Sequence, residues 1–541
     1  MFVQVTKSRR GAKIYETFLV RESFRTPEGP RSRTVCNITG LPEHVRSLVK
    51  AALSGDEIVP LDSVKLEGAL DYGGLAVLVD AWNRFEMDRL FDHVADRRQR
   101  GLIKAVIFSR LLFPCAKLAL AQRARGSLLA QACGLSADET FAEDDIYEAM
   151  DQLDGSWVAI EKQLYRRAFA EGCRLVLYDL SSVYFEGKGP ARLARYGHSR
   201  DHRSDRTQIV LAVATDTQGI PLHVEVLRGN RGDTTTLLPL VHTLRRRFGI
   251  DHAIFVFDGG MSSRINLEAM DAQKLGYITR LSSSILQSLV DELPQDQQLQ
   301  LGERGQLIEI THQDKRYVIA GGPWRQQRDM ERRSARIEKG EAELERLAAV
   351  KRARPNAQKL SSQVGRALQR LKAHKYFDYH VNESGQLKWE RKTDLILSEE
   401  VLDGWYLLHT NQSVQQCSSD QVLAHYKGLL DVEEAFCEIK SYLEVRPVFH
   451  YRPDRVRNHV RLCFLSYWLS ARLGQEWRAL SEKGEVPRIL RELQAIRVGF
   501  LHFDQHTFKS LLSQIPESLN PLIAKLKLTK LFSSPPTWAY L

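Results

Sequence analysis

The spacing of apolar residues divides the chain into regions of different secondary structure. Short alternating segments, FVQVTK, YETFLVRESF and SRTVCNITGL, predict a small β-rich module over residues 1–60. Apolar residues then recur three and four positions apart, as in GLIKAVIFSRLLFP, and this periodicity predicts an all-α domain over residues 61–170. Such a domain suits either DNA binding or dimerisation, and the pattern is compatible with both.

A different pattern begins at about residue 171 and indicates a mixed sheet. The segments CRLVLYDLSSVYF, TQIVLAVATDTQGIPLHVEVLRG and HAIFVFDGG are apolar and typical of strands, with glycine and proline turn signals. Helical segments alternate with the later strands, so the predicted class is α/β, with helices on the faces of a mixed sheet. We predict this core in two parts, residues 171–290 and 401–480, followed by a helical C-terminal region over residues 481–541.

An insertion domain is predicted between the two parts of the core, over residues 291–400. A β-rich stretch precedes two helical stripes of apolar residues on either side of Pro355-Asn356, so we interpret residues 325–375 as a basic helical hairpin. Its cations either follow DNA phosphates or lie on the solvated side of a self-packed hairpin, and we favour DNA contact. Deletion of residues 325–375 is then expected to flatten the salt dependence of DNA binding.

Charge is concentrated in this hairpin. The 541-residue chain has 77 lysines and arginines against 67 acidic residues, a net charge of +10. Residues 325–375 hold 15 basic and 6 acidic residues, so about +1 is left for the remainder of the chain. A basic balance favours a polyanionic partner, nucleic acid first, and excludes an acidic solvating protein.

Composition and cysteine placement exclude several other classes. Apolar residues make up 43% and charged residues 27%, which is typical of a globular chain rather than a disordered one. The 7 cysteines are dispersed without a Cys-x-x-Cys pair, which argues against a disulfide scaffold or a structural zinc site. The first residues lack a signal-peptide core and no run of about 18 apolar residues occurs, so we expect a cytoplasmic protein with no membrane partner.

Two aspartates follow apolar strands. Asp179 follows LVLY and Asp258 follows AIFVF, so each is expected at the C-terminal end of a strand, where a side chain leaves the core and meets solvent. A strand-end aspartate is also a common turn former. Two such ends on neighbouring strands would bring two carboxylates into one cleft, and a divalent cation such as magnesium or manganese would relieve their repulsion.

A third carboxylate lies on a long helix predicted from about residue 419 to residue 443. Tyr426, Glu433 and Lys440 are seven residues apart, so at about 100° per residue they share one helix face. A tyrosine, a carboxylate and a lysine on one stripe suit a metal-bound phosphate. The same stripe is also compatible with a solvated helix face.

The two aspartates and this helix resemble a known family, the bacterial insertion-sequence DDE transposases. The resemblance is to the superfamily whose helix carries tyrosine, arginine, glutamate and lysine at fixed spacing. Tyr426, Glu433 and Lys440 fall at three of those positions, and Leu429 occupies the arginine position. The resemblance covers about residues 175–473 and includes the segments YGHSRDHRSDRTQ, DGGMSS and RPVFHYRPDRVRNHV.

The resemblance implies a ribonuclease H-like catalytic core and two-metal phosphoryl transfer. Asp179, Asp258 and Glu433 would be the catalytic residues and would hold two Mg²⁺ ions, for which Mn²⁺ is expected to substitute. The implied reaction cuts the ends of an insertion sequence by way of a hairpin and joins their 3′-hydroxyls to target DNA. The implied partners are terminal inverted repeats and target DNA, both double-stranded, bound by a homodimer at the bacterial nucleoid.

Cations around these carboxylates are expected to bind DNA. Tyr426 and Lys440 would contact phosphate at the cleavage site, and Lys427 or Arg446 would replace the missing arginine. Two basic clusters flank the core strands and the helix, and for each cluster a solvated surface is the alternative. Their members are Arg200, His202, Arg203, Arg206, Arg446, Arg452, Arg455, Arg457 and His459.

Two other functions are compatible with the sequence. A ribonuclease H-like nuclease would hydrolyse strands without joining them, and a strand-transfer assay with a precut end separates it from a transposase. A transposase-derived DNA-binding protein would no longer cleave, and the presence of Asp179, Asp258 and Glu433 argues against it.

Overall fold

A computed structural model describes residues 1–10, 13–27, 29–56, 58, 64–292, 307–349, 357–480, 486–503 and 507–540. The strands in these ranges are β1 (Phe2–Arg10), β2 (Lys13–Thr26), β3 (Gly29–Asn37), β4 (Val64–Asp71), β5 (Leu175–Tyr184), β6 (Gln208–Thr215), β7 (Pro221–Arg228), β8 (Ile254–Phe257), β9 (Gly276–Arg280), β10 (Ile308–His312), β11 (Lys315–Gly321), β12 (Phe377–Val381), β13 (Leu387–Arg391), β14 (Trp405–Thr410), β15 (Arg497–Phe503) and β16 (Thr507–Leu512).

The α-helices in the described ranges vary from 4 to 28 residues in length. They are α1 (Glu43–Ser54), α2 (Gly73–Arg84), α3 (Arg97–Leu112), α4 (Lys117–Ala124), α5 (Leu129–Ala132), α6 (Glu143–Asp151), α7 (Trp157–Ala168), α8 (Leu237–Phe248), α9 (Arg264–Ala272), α10 (Ser283–Asp291), α11 (Pro323–Ala348), α12 (Ala357–Arg370), α13 (Thr393–Val401), α14 (Ser419–Lys427), α15 (Leu429–Cys437), α16 (Pro453–Leu480), α17 (Val486–Leu493) and α18 (Asn520–Lys525). Within the described part of the chain, no helix combines the length and the apolar character that crossing a membrane requires.

One compact unit joins the two ends of the chain, Met1–Gly73 and Leu493–Thr537. It contains an antiparallel sheet in the order β1-β2-β3 and a second antiparallel sheet in the order β16-β15-β4. The region from residue 481, expected to be helical, thus contains two strands, and the region expected to be all-α begins with β4. The alternating segments RVGFLHF and TFKSLL are too short to predict strands by themselves, and pairing with β4 stabilises them.

The second unit, from Gly74 to Glu492, contains an eight-stranded mixed sheet in the order β10-β11-β14-β9-β8-β5-β6-β7. Strands β5, β8 and β9 are parallel to one another, and the remaining pairs are antiparallel. Helix α8 covers one face, where Leu240 and Leu244 pack with Tyr178, Phe255 and Phe257 in one buried cluster. The predicted mixed α/β architecture with many helices is confirmed.

Helices before and after the sheet pack on each other within this unit. Helix α16 is largely buried and contacts α3 and α6. The ring of Phe464 meets Trp157 of α7 edge to face, with the ring centroids 5.6 Å apart. The helical region before the core thus contributes to the same apolar interior as the helix after it.

The segment between β9 and β14 contributes to two structures. Strands β10 and β11 extend the eight-stranded sheet, because β11 pairs with β14. Helices α11 and α12 pack instead with the β12-β13 hairpin around their own core, which includes Leu344, Val364, Leu368, Tyr376 and Phe377. The apolar stripes of the two basic helices therefore face each other and this hairpin, and their cations lie outside that core.

Candidate active site

Three carboxylates line one cavity of about 690 Å³ at the edge of the parallel strands. Asp179 lies on β5, Asp258 directly follows β8, and Glu433 lies on α15. The parallel pairing of β5 with β8 ends at Tyr178 and Phe257, so the two aspartates come one residue beyond the same pair. This register explains why two residues that are distant in sequence reach the same cavity.

The apolar run predicts that Asp179 lies at the end of its strand, and this prediction is wrong. Strand β5 continues to Tyr184 because β6 pairs with it along that whole stretch, through register pairs such as Asp179 with Val213. Only the shorter neighbour β8 ends at this level. Asp179 therefore faces the space that opens where β8 stops, and its side chain is half-buried instead of fully solvated.

Electrostatics distinguish Asp179 from its neighbours in the cavity. Burial above all, with repulsion from the carboxylates of Asp258 and Glu433, raises the pKa of Asp179 to about 7. The backbone N–H of Leu180 and the guanidinium of Arg200 act in the opposite direction. Three acids that share one cavity in this way favour binding of a cation, because it would relieve their mutual repulsion.

The helix with the third carboxylate is divided, contrary to the prediction of one continuous helix. Helix α14 ends at Lys427 and α15 begins at Leu429, on either side of Gly428. A π-helical turn, Glu438–Tyr442, then follows α15. A Cβ atom at Gly428 would lie 3.1 Å from the carbonyl oxygen of His425 and 3.3 Å from Leu177, so the absent side chain lets this segment approach β5 closely.

Tyr426 and Lys440 occupy different walls of the site. The Tyr426 hydroxyl lies 3.4 Å from Oδ1 of Asp258, and burial raises the pKa of this phenol. The Lys440 ammonium donates to Oγ of Ser181 at 2.9 Å and to Oδ1 of Asp201 at 2.5 Å. Lys440 is buried, and Lys427 is exposed.

Asp201 is a site residue that sequence reasoning missed. Its side chain is only 3% exposed, and its Oδ1 also accepts a bond from Nη1 of Arg446 at 2.6 Å. Asp233 was missed as well, and it lines the cavity in an ion pair with Arg200 at 2.6 Å. Both acids lie in polar segments, where the sequence offers no signal that separates a buried aspartate from a solvated one.

The remaining predicted DNA-binding residues differ in how accessible they are. His202 is exposed at the cavity with a left-handed backbone (φ 56°), and Arg457 is half-buried on α16. The other arginines lie in ion pairs with neighbouring acids, so a phosphate would have to compete for them. These pairs are Arg203 with Asp205, Arg206 with Glu186, Arg452 with Asp454, and Arg455 with Asp151.

His459 does not fit the predicted contact with DNA. The side chain is buried, with Nδ1 2.9 Å from Nζ of Lys117 and Nε2 3.1 Å from the carbonyl oxygen of Val445. Both ring nitrogens are therefore engaged inside the protein. The position follows from α16, whose inward face carries His459 next to Val460.

The donor set of the cavity suits a hard divalent cation. Carboxylate oxygens are the ligands that magnesium and manganese prefer, and the three acids share the cavity with Asp233. Within the described ranges, no three acids, histidines or cysteines form a ready-made group of metal ligands.

Comparison with known proteins identifies the family. The family profile described as "Transposase DDE domain" matches residues 170–469, more than half of the chain. The chain belongs to this transposase family. No curated protein matches the sequence.

Two solved transposase structures are among those with some similarity. The piggyBac transposase synaptic complex with hairpin DNA has a TM-score of 0.40 and 9% identity, covering 79% of this chain and 77% of that chain. The Mos1 transposase paired-end complex with the left transposon end has a TM-score of 0.15 and 12% identity, covering 44% of this chain and 69% of that chain.

Proposed function

We propose that the protein is a DNA transposase that cuts the ends of an insertion sequence and joins their 3′-hydroxyls to target DNA. The observation that carries this proposal is the convergence of Asp179, Asp258 and Glu433 on one cavity, in a chain of the DDE transposase family. The eight-stranded sheet then contains a ribonuclease H-like core, with the first acid on β5, the second after β8 and the third on a helix that contacts β5.

The three acids would hold two magnesium ions, or manganese in their place. When bound, these ions would supply Lewis-acid stabilisation of the attacking and leaving oxygens in an in-line displacement at phosphorus. The pKa of Asp179, raised to about 7, supports a role as a ligand, because a nearby cation favours its ionised form. Asp258 is held at one edge of the site by its contact with the Tyr426 hydroxyl.

Lys440 and Arg446 would bind the phosphates next to the cleavage site. Asp201 directs both cations toward the cavity, and Ser181 fixes the Lys440 ammonium from the other side. Arg446 lines the cavity, so it is better placed than exposed Lys427 to serve in place of the arginine that Leu429 replaces. We propose that the DNA ends pass through a hairpin, as in transposases with the same helix motif.

Excision in cells tests this proposal. A donor plasmid would carry a resistance marker between the two DNA segments that flank the gene, and marker loss with rejoined plasmid would be scored by sequencing. Asp179→Asn, Asp258→Asn and Glu433→Gln are each expected to reduce excision at least about 100-fold, because each removes a carboxylate that would hold the metal ions on which stabilisation of the transition state depends. Glu434→Gln is the matched control, since Glu434 is exposed beside Glu433 on the same helix.

Three results would contradict the proposal. Unchanged excision in any one of the three acid variants would show that this residue is not catalytic. Cleavage of intact ends without any joined product from a precut end, assayed in vitro with Mg²⁺ or Mn²⁺, would favour the nuclease. Binding without cleavage by the wild type would favour a non-catalytic DNA-binding protein.

A further inference from the structure

In the N-terminal sheet β1-β2-β3, the acidic side chains of the described residues all lie on one of the two faces. The register pairs Thr6 with Thr17, Ser8 with Tyr15 and Arg21 with Thr34, so these residues share one face. Along β2, the positions on this face are Lys13, Tyr15, Thr17, Leu19, Arg21, Ser23 and Arg25. Among the described residues of the sheet, this face carries no aspartate or glutamate, and we call it the acid-free face.

The opposite face holds the carboxylates and the helix. Glu16 pairs with Lys7 at 2.7 Å, and Glu22 pairs with Arg33 at 2.7 Å. On the same face Phe18 lies under the guanidinium of Arg46 on α1, 4.2 Å from the ring centroid. The helix therefore packs on this face, and the acids there are already paired with cations.

The acid-free face is open to solvent and partly organised by its own hydrogen bonds. Lys13, Tyr15, Ser23 and Arg25 are exposed. Arg21 donates through Nη1 to Oε1 of Gln4 at 2.6 Å and through Nη2 to the carbonyl oxygen of Ser32, which links all three strands. A hydroxyl-rich and amide-rich surface with cations and without carboxylates is complementary to a polyanion that also presents hydrogen-bonding groups.

We propose that the acid-free face of the β1-β2-β3 sheet binds double-stranded DNA, in addition to the DNA held at the cavity with the three carboxylates. Lys13 and Arg25 stand twelve residues apart on β2, about 40 Å at 3.3 Å per residue, and contact phosphates at the two ends of the surface. The hydroxyl and amide side chains between them face base edges, since the strands of a β-sheet can enter a DNA groove. The inference rests on the proposed function only in taking DNA as the partner.

Salt dependence of binding by the full chain tests this assignment. Fluorescence anisotropy would follow a labelled 30-base-pair DNA duplex of mixed sequence from 50 to 200 mM salt, in EDTA so that no cleavage occurs. The Lys13→Gln/Arg25→Gln variant should have a slope of log affinity against log salt that is shallower by about 1.8, because two phosphate contacts are lost. Over this range the wild type then loses about tenfold more affinity than the variant.

The matched control removes the same charge from the other face of the same strands. Arg9→Gln/Arg31→Gln should keep the wild-type slope, since Arg9 and Arg31 pair in register with Ile14 and Phe24 of the opposite face. Circular dichroism melts of both variants establish that the sheet is intact. An unchanged slope for Lys13→Gln/Arg25→Gln, an equal loss for the control, or an effect seen only with a single-stranded 30-mer would each overturn the proposal.

The binding measurement tests the sheet assignment and the excision assay tests the proposed transposase function, so the two proposals can be contradicted separately. If the chain excises the marker but the slope is unchanged, the sheet assignment is wrong and the proposed transposase function is not affected. If the slope becomes shallower only in Lys13→Gln/Arg25→Gln but no excision occurs, the sheet assignment holds and the proposed function is wrong.

Discussion

Asp201 shows how one buried side chain can set the electrostatics of a site. It lies between two cations, Lys440 and Arg446, at the wall that also carries Ser181. Burial lowers the pKa of Lys440, and the Asp201 carboxylate opposes that shift. The acid therefore keeps a lysine charged in a place where burial alone would favour the neutral amine.

Replacing Asp201 should be costly for both stability and activity. Asp201→Asn leaves two cations without their shared carboxylate, and loss of one partner of a buried pair destabilises by about 3 kcal/mol. Urea unfolding measures this loss, and excision should fall with it. Asp205→Asn is the control, because Asp205 pairs with Arg203 at an exposed position (61% exposed), where loss of the ion pair should leave the unfolding free energy unchanged. Equal stability of the two variants would contradict the assigned role of Asp201.

Residues differ in how far the sequence can predict them. The apolar strand segments indicate the positions of Asp179 and Asp258, and the helical spacing of apolar residues indicates that of Glu433. The structure brings all three carboxylates to one cavity. Their catalytic role stays a prediction until the variants are measured. Asp201 could not be predicted because its partner Lys440 is 239 residues away, and local sequence does not report a contact of that range.

At the scale of the element, the segment from α14 to the π-helical turn illustrates the limits of periodicity. The seven-residue spacing predicts one face for Tyr426, Glu433 and Lys440. The interruptions at Gly428 and at Glu438–Tyr442 change the direction of the side chains, so the tyrosine and the lysine meet different acids. Propensity within a window does not detect a π-helical turn, which tertiary contacts stabilise.

Glu438 at the start of this turn should make stability depend on pH. Burial raises the pKa of Glu438 from 4.5 to about 7, and no described residue donates a hydrogen bond to its Oε1. The folded chain thus keeps a proton between about pH 4.5 and pH 7 that the unfolded chain has released, so stability falls as pH rises through this window. Glu438→Gln removes the titrating group and should stabilise the protein by about 3 kcal/mol above pH 7.

Chemical unfolding at pH 5 and pH 8 checks this prediction. The difference between wild type and Glu438→Gln should be small at pH 5 and large at pH 8. Glu434→Gln, one turn earlier on the exposed side, should track the wild type at both values. A pH profile of Glu438→Gln that follows the wild type would show that Glu438 does not titrate in this way.

The loop between β5 and β6 depends on two glycines that pack backbone to backbone. A Cβ atom on Gly197 would collide with the carbonyl oxygen of Gly229, and one on Gly229 would collide with that of Gln208. The side chain of Gln208 completes this contact by donating to the Gly229 carbonyl at 2.8 Å. The close packing of Gly197 on Gly229 positions the loop between β5 and β6, which carries the cavity residues Arg200 and Asp201.

Gly229→Ala should therefore displace the loop. We expect a loss of about 2 kcal/mol in unfolding free energy, because overpacking against backbone cannot be relieved by side-chain rotation, and a parallel loss of excision. Gly232→Ala is the matched control, since a Cβ atom there has no neighbour within 4 Å. Thermal melting compares the two, and a Gly229→Ala protein as stable as Gly232→Ala would contradict the packing described.

At the scale of the whole molecule, the eight-stranded sheet contains the segments that the sequence predicts as strands, whereas the unit at the chain ends contains strands that the sequence does not predict. Apolar strands such as β5, β6 and β8 were predictable because strands buried on both faces appear in the sequence as nearly continuous apolar runs. The C-terminal strands were not, since β15 pairs with β4 more than 400 residues earlier in the chain. The predicted membership of the DDE transposases is confirmed by the family profile over residues 170–469, and the narrower superfamily stays a prediction.

The expected homodimer makes a quantitative prediction for mixed expression. If each of two chains cuts one end, equal expression of wild type and Asp258→Asn should reduce excision to about a quarter, because only dimers of two active chains complete the reaction. Glu434→Gln coexpressed in the same way should leave excision unchanged. A fall only to about three quarters would indicate that one active chain in a dimer processes both ends.

The pairing of β9 with β14 has a consequence for synthesis. Strands β5 to β9 lie close together in sequence, but β14 and the helix with Glu433 follow only after the insertion. At about 5–20 residues per second, a ribosome needs about 8–30 s to proceed from β9 to the end of α15. During that interval the nascent chain carries two of the three carboxylates, so a chain released early is expected to be harmless to the DNA around it.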